Sequence, residues 1–288
     1  MKPLDVCALA VPILIWAFAF SVVKIGVAQF PPLLMTAIRF TIVAVLLSPF
    51  LRYQKGRMGQ IFLLGANLGL HFSLMFTGMK GVDAGPAAIA VQLYVPFSVL
   101  LAWVVFRETL GGWQMVGMAV AFLGVYYLSG EPRIAPKPVP FMFLVASAFT
   151  MAVATMQIKR LGTISVFTLN AWVALLAMPQ LFLASWLIES DHMEMLAAVD
   201  WRGWGAVAYI AIAGTITAHG IWYYLIGRYP VNRLVPASLI APVLAVFVAA
   251  WLLDEPLNAR TMIGGAITIA GVALLQVYRP PKRRGVAP

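Results

Sequence analysis

Long stretches of the chain contain no Asp, Glu, Lys or Arg. Nine such runs reach 18 residues: 6–23, 58–79, 84–106, 109–130, 138–158, 161–188, 203–227, 234–253 and 261–278. A further stretch, 31–51, is equally apolar and is interrupted only by Arg39. A helix rising about 1.5 Å per residue needs roughly 20 apolar residues to cross the hydrocarbon of a bilayer. The pattern therefore predicts an all-α integral membrane protein with ten transmembrane helices joined by short connections. A membrane barrel would alternate polar and apolar positions along each strand, whereas these runs are apolar on every face. Val6 to Val23 is an apolar run of 18 residues, longer than the apolar core of a signal peptide, and is expected to stay as the first helix rather than to leave by cleavage.

Composition excludes the soluble alternatives. Hydrophobic residues make up 62% of the chain and charged residues 10%, against roughly a quarter charged in an ordinary globular protein. Too few polar side chains exist to cover a water-facing surface. The net charge of +10 does not mark a nucleic-acid partner, because the Lys and Arg side chains fall in small groups between apolar runs instead of gathering on one face. Cys7 is the single cysteine, so neither an internal disulfide nor a cysteine metal cage can form. No cofactor and no metal are expected. The expected partners are the lipid bilayer and a small-molecule substrate.

The cations set the orientation. With the N-terminus in the cytoplasm, thirteen of the 20 Lys and Arg residues fall on the inner side, six on the outer side, and Arg39 within a span. Eight of the ten acids then fall outside, including Glu189, Asp191, Glu194 and Asp200 in the longest loop. Both termini are expected to be cytoplasmic.

The two halves of the chain also match each other. Arg107-Glu108-Thr109-Leu110 and Asp254-Glu255-Pro256-Leu257 stand at a constant offset of 147. Met115 and Met262, Gly117 and Gly264, Gly124 and Gly271, Val125 and Val272, and Leu128 and Leu275 match at the same offset. This predicts two five-helix units, residues 1–132 and 133–288, and because five is odd the second must cross the membrane inverted. Inverted repeats recur in secondary transporters, whose halves rock around a midplane site. The paired glycines, seven apart, lie on one helix face and suit close helix packing.

Several of these positions resemble one known family. Trp16, Phe20 and Lys24 in the first helix, Arg39 in the second, and Pro96 followed by Arg107-Glu108 form the first part of the pattern. Pro242, Asp254-Glu255-Pro256, Gly264 and Gly271 form the second. On these residues the chain resembles the drug/metabolite transporter superfamily, in its ten-helix EamA-like branch. The resemblance implies a ten-helix bundle around a central cavity, and export of amino acids or other small metabolites across a bacterial inner membrane. Trp16-Ala17 stands where a Trp-Gly pair is common in that family.

Polar residues inside spans are costly and usually face a cavity or another helix. His71 and His219 lie at nearly equivalent places in the two units, 37 and 36 residues before the repeat acids. The cavity wall is expected to comprise Trp16, His71, Gln92, Tyr94, Trp172, His219 and Tyr223, with aromatic faces for apolar groups and ammonium ions. The alternative for each histidine is a bond between helices, and for each deep tryptophan a contact with lipid. Pro96 and Pro242 fall at matching mid-span positions and are the expected hinges, since an interior proline removes a backbone donor. Arg39 has two readings, a carboxylate receptor or a tie between helices. Lys24 is expected to snorkel to water.

No acid falls at mid-membrane and no phosphate-binding loop occurs, which excludes ATP as the driver and leaves the substrate gradient, or proton linkage through the histidines. An enzyme is not expected: neither an H-E-x-x-H nor a G-x-S-x-G motif is present. The expected function is secondary export of small amphipathic metabolites, foremost neutral or aromatic amino acids, by alternating access. A flippase or carrier of lipid-linked or other metabolites is the alternative.

Overall fold

The computed structural model describes residues 3–107, 110–226, 228, 229, 234 and 237–277, and among these every regular element is helical. In chain order they are α1 (Pro3–Gln29), α2 (Pro32–Leu46), α3 (Met58–Gly81) and α4 (Ala84–Ala90). A 3₁₀ turn, Val91–Leu93, leads from α4 into α5 (Tyr94–Phe106), and α6 (Gly112–Ser129), α7 (Pro138–Leu161) and α8 (Val166–Ile188) follow. The short α9 (His192–Ala198) precedes α10 (Trp201–Ala208), which passes through a π-helix, Tyr209–Thr217, into α11 (Ala218–Ile226). The described chain ends with α12 (Ile240–Leu253) and α13 (Ala259–Val277). Glu108 of the predicted repeat, residues 235 and 236, and the basic Lys282-Arg283-Arg284 lie outside the described residues.

Seven helical stretches are long and apolar enough to cross a membrane. They are Leu4–Gln29, Met58–Gly81, Ala84–Phe106, Pro138–Leu161, Val166–Ile188, Trp201–Trp222 and Ala259–Gln276. The predicted segments 31–51 and 234–253 contain shorter apolar helices, α2 and α12. Segment 109–130 contains α6, whose Trp113, Gln114, Tyr126 and Tyr127 dilute its apolar character.

Local chemistry sets the helix ends. Pro32 and Pro138 begin α2 and α7, where a missing N–H leaves nothing unpaired. The Asp200 carboxylate caps α10 by accepting from the backbone N–H of Arg202 (2.8 Å) and Gly203 (3.1 Å). α5 and α12 both end in a left-handed residue, Arg107 and Asp254, each at φ 52°. Their N–H groups reach back to Ala102 and Ala249 respectively.

Glycines bring α6 and α13 together. A Cβ on Gly124 would stand 2.8 Å from the Gly264 carbonyl oxygen, and one on Gly264 would stand 3.0 Å from that of Gly124. Gly117 and Gly271 meet in the same reciprocal way, at 3.0 and 2.7 Å. Close backbone approach of this kind replaces the hydrophobic drive that lipid surroundings remove.

Inside the bundle, one core gathers Phe30, Met35, Phe76, Met79, Leu128 and Leu144. A second gathers Phe40, Ile61, Leu64, Leu161 and Leu181, and Phe72 of α3 packs against both. The outside is apolar as well: Tyr126, Trp186 and Trp251 are each more than 70% exposed. A water-soluble protein rarely shows such surface; a bilayer covers it. Trp103, Trp113, Trp186, Trp201, Trp204 and Trp251, all within a turn or so of a helix end, are exposed, the placement that suits the polar boundary of a bilayer.

Candidate functional site

Arg39 is the eighth residue of α2 and is buried, 4% exposed. Its guanidinium carbon lies 3.9 Å from the centre of the Phe72 ring and 5.2 and 5.9 Å from those of Phe40 and Phe76. One nitrogen, Nη2, donates to Thr215 Oγ1 at 2.9 Å, while Nε and Nη1 have no hydrogen-bond partner. Placing an arginine at the centre of a bilayer costs about 2.5–3.5 kcal/mol. A hydrogen bond to a charged group returns about 1.5–3 kcal/mol, and desolvated ring faces add up to about 2 kcal/mol. The cation is thereby tolerated, but its charge is not cancelled.

Thr215 reaches Arg39 because the backbone leaves the α-helix there. In the π-helix Tyr209–Thr217 the Thr215 hydroxyl donates to the carbonyl of Ile210, five residues back, at 2.9 Å. Such π segments frequently occur at functional sites. Immediately beyond it, His219 Nδ1 stands 3.1 Å from the carbonyl oxygens of both Gly214 and Thr215. The His219 ring contacts Trp16 of α1 at 5.6 Å between ring centres, and Trp16 contacts Trp222 at 5.5 Å. On the other side of Arg39, the His71 ring packs on Phe72 at 4.6 Å and its Nδ1 lies 2.8 Å from the Ser147 carbonyl. Carbonyl oxygens only accept, so both imidazoles carry their proton on Nδ1.

A continuous group results: His71, Phe72, Arg39, Thr215, His219, Trp16 and Trp222. The sequence reading singled out Trp16, His71, Arg39 and His219 as chemistry-bearing. It missed Thr215 and Phe72, for which the sequence carries no signal beyond their position within apolar spans.

The other expected site residues are distributed differently. Gln92 sits in the 3₁₀ turn and Tyr94 opens α5, both half-buried, and Tyr94 packs on the same core as Phe72. Trp172 lies apart: its indole N–H donates to the carbonyl of Arg52 at 2.9 Å, which holds it toward the connection between α2 and α3. The Tyr223 side chain lies outside the described residues. Pro96 and Pro242 are buried and each is the third residue of its helix, α5 and α12. In the first turn a proline deprives the helix of no bond. The break in the Ala84–Phe106 span is therefore the 3₁₀ turn before Pro96.

At one end of the bundle charges of both signs gather. Glu255 accepts from the backbone N–H of Ala84 (2.6 Å) and Gly85 (3.0 Å) at the start of α4. Burial pushes its carboxyl above the usual carboxylate range, and the bonds from Gly85 and Ala84 only partly restrain the shift. Lys24 does not reach into solvent as expected; its Nζ donates to the carbonyls of Met79 (2.8 Å) and Val82 (2.6 Å), at the C-terminus of α3. Arg133 pairs with Asp83 at 3.0 Å. Lys24, Asp83, Arg133, Arg202, Asp254 and Glu255 line a vestibule of about 960 Å³. Among the described residues no three His, Cys, Asp or Glu side chains gather as a metal site.

This arrangement, apolar outside with a small polar group within, agrees with comparisons to known proteins. The sequence model of the EamA-like transporter family matches residues 4–130 and 139–277. The chain belongs to the EamA-like transporter family. One relative, named a probable amino-acid metabolite efflux pump in Escherichia coli K12, is 31% identical over 271 residues, covering 90% of each chain. Another, the uncharacterized inner membrane transporter YedA of the same organism, is 25% identical over 96% of this chain and 92% of its own. A solved crystal structure superposes with a TM-score of 0.65 at 19% identity, covering 95% of this chain and 96% of that one, and shows the EamA-like chain's fold alone. Membership makes this EamA-like chain a multi-pass membrane transporter for a small molecule.

Proposed function

We propose that the protein exports small amphipathic metabolites, foremost neutral and aromatic amino acids, across a bacterial inner membrane by alternating access. The observation that carries this reading is the junction at Arg39. There α1, α2 and α3 meet the π-helix and α11, and imidazole, guanidinium and indole groups converge amid apolar rings. A cargo with a polar head and an apolar side chain suits that lining. The relatives named amino-acid metabolite efflux pumps, in Escherichia coli and Salmonella typhimurium, support the same cargo class.

In this proposal residues 1–132 and 133–288 are inverted five-helix units, and the seven long spans with α2, α6 and α12 make ten crossings. Support comes from the two separate family matches, from the left-handed pair Arg107 and Asp254, and from the reciprocal contacts of Gly117 with Gly271 and Gly124 with Gly264. Trp16, His71, Gln92, Tyr94 and His219 would line the site, with Tyr223 one turn beyond His219 and Trp172 nearer its Arg52 end. Pro96 and Pro242 would mark the hinges, and both termini would face the cytoplasm. An apolar groove of about 740 Å³, lined by Phe97, Tyr126, Phe141 and Phe149 among others, favours lipid-linked cargo as the second reading; its lining holds no Lys or Arg for a phosphate.

The test is flux of a labelled amino-acid panel in liposomes containing the purified protein, with and without a proton gradient. Saturable flux of apolar amino acids is expected, and alanine at His71 or Tyr94 should reduce it about tenfold or more at equal folded protein. Absence of flux from folded protein overturns the amino-acid reading and turns the search to lipid-linked cargo.

A further inference from the structure

We propose that Arg39 is the receptor for a carboxylate on the cargo, so that the protein carries carboxylate-bearing molecules and discriminates against the corresponding amides and amines. This rests on the export reading above and deepens it. An arginine keeps its charge in any protein environment, so the α2 cation needs a counter-charge or a compensating set of acceptors. It has neither. Thr215 and the rings of Phe40, Phe72 and Phe76 are neutral, and among the described residues no ion pair includes Arg39.

The unpaired donors are concentrated on this group. Among the described residues four buried side-chain nitrogen or oxygen atoms lack a partner, and two of them are Nε and Nη1 of Arg39. A purely structural arginine would be expected to satisfy its donors, since unpaired buried donors are costly and rare. The Thr215 hydroxyl cannot help the cargo further: it accepts from Arg39 and donates to Ile210, which fixes the guanidinium while leaving Nε and Nη1 buried and unpaired. Aromatic side chains stand on both sides, Phe72 beside His71 and Trp16 beside His219, where the apolar part of a cargo would lie. A carboxylate arriving at Nε and Nη1 would complete the hydrogen bonding and cancel the charge together, through the charge-assisted bonds that arginine makes best.

The experiment measures binding of L-phenylalanine, L-phenylalaninamide and phenethylamine to the full-length protein purified in detergent, by calorimetry, for the wild type, R39Q and R39K. In the wild type phenylalanine should bind about tenfold or more tighter than the amide and the amine. R39Q should lose that preference by weakening phenylalanine binding while leaving amide binding unchanged, and R39K should show an intermediate ratio. The proposal is overturned by a wild type that binds the amide as well as the acid or binds neither. It is equally overturned by folded R39Q that keeps the wild-type ratio. Should R39Q fail to fold, R39K decides: a ratio within about twofold of wild type overturns the assignment. Flux in liposomes separates the two readings. Selective binding without flux overturns export and keeps the Arg39 assignment, whereas flux with unaltered selectivity in the variants does the reverse.

Discussion

Two carboxylates in this protein serve helices far from them in sequence. Glu255 receives the N–H groups of Ala84 and Gly85, and Glu189 receives those of Leu33 (2.8 Å) and Leu34 (3.0 Å) at the start of α2. Each satisfies orphan donors and complements the positive end of a helix. In the sequence Glu189 was legible only as a loop acid and Glu255 as a repeat marker, neither as a cap, because a cap that arrives from more than 150 residues away leaves no local signature. Glu255 also makes stability depend on pH. Burial holds its folded carboxyl above the ordinary glutamate value of 4.5, so folding favours its protonated form. Its contribution is fully present below pH 4.5 and is lost as pH rises through the higher folded value. The melting temperature of the wild type relative to Glu255→Gln should therefore rise as pH falls through that interval. A difference independent of pH would show that the shift is absent.

At the scale of elements, the apolar runs were legible because a charge-free stretch of span length has few other uses. The glycine pairs were legible as a packing surface, though not as partners of one another; that required α6 and α13 to be placed face to face. Gly124→Ala should destabilise the folded protein by about 1–3 kcal/mol through overpacking, read as a lower melting temperature in detergent. Gly205→Ala, where a Cβ meets nothing within 4 Å, should leave it unchanged or slightly raised. The π-helix escaped the sequence because a shift from i−4 to i−5 bonding changes no composition, and Thr215 was missed with it. Pro96 and Pro242, read in the sequence as mid-span interruptions, each stand third in a helix. If the segments before them are the hinges, Pro96→Ala and Pro242→Ala should each slow turnover several-fold with little change in binding; unaltered turnover in both removes that role.

For the whole molecule, the sequence made plain that lipid is the solvent, since neither the interior nor the exterior has charge to spare. Charge counting assigned the loops to two sides but did not show the vestibule, which assembles from α1, the α3–α4 and α6–α7 connections, α10 and the loop after α12. Nor could it show how deep Arg39 lies in practice. α2 has 15 residues and so is about 22 Å long, against a hydrocarbon thickness of about 30 Å. α2 packs against the longer α3 and α8, of 24 and 23 residues, and ten of its own residues are buried. Shortness inside a bundle of longer helices brings a helix end, rather than the lipid, closer to a buried charge: Arg39 stands seven residues from each end of α2, about 10 Å along its axis.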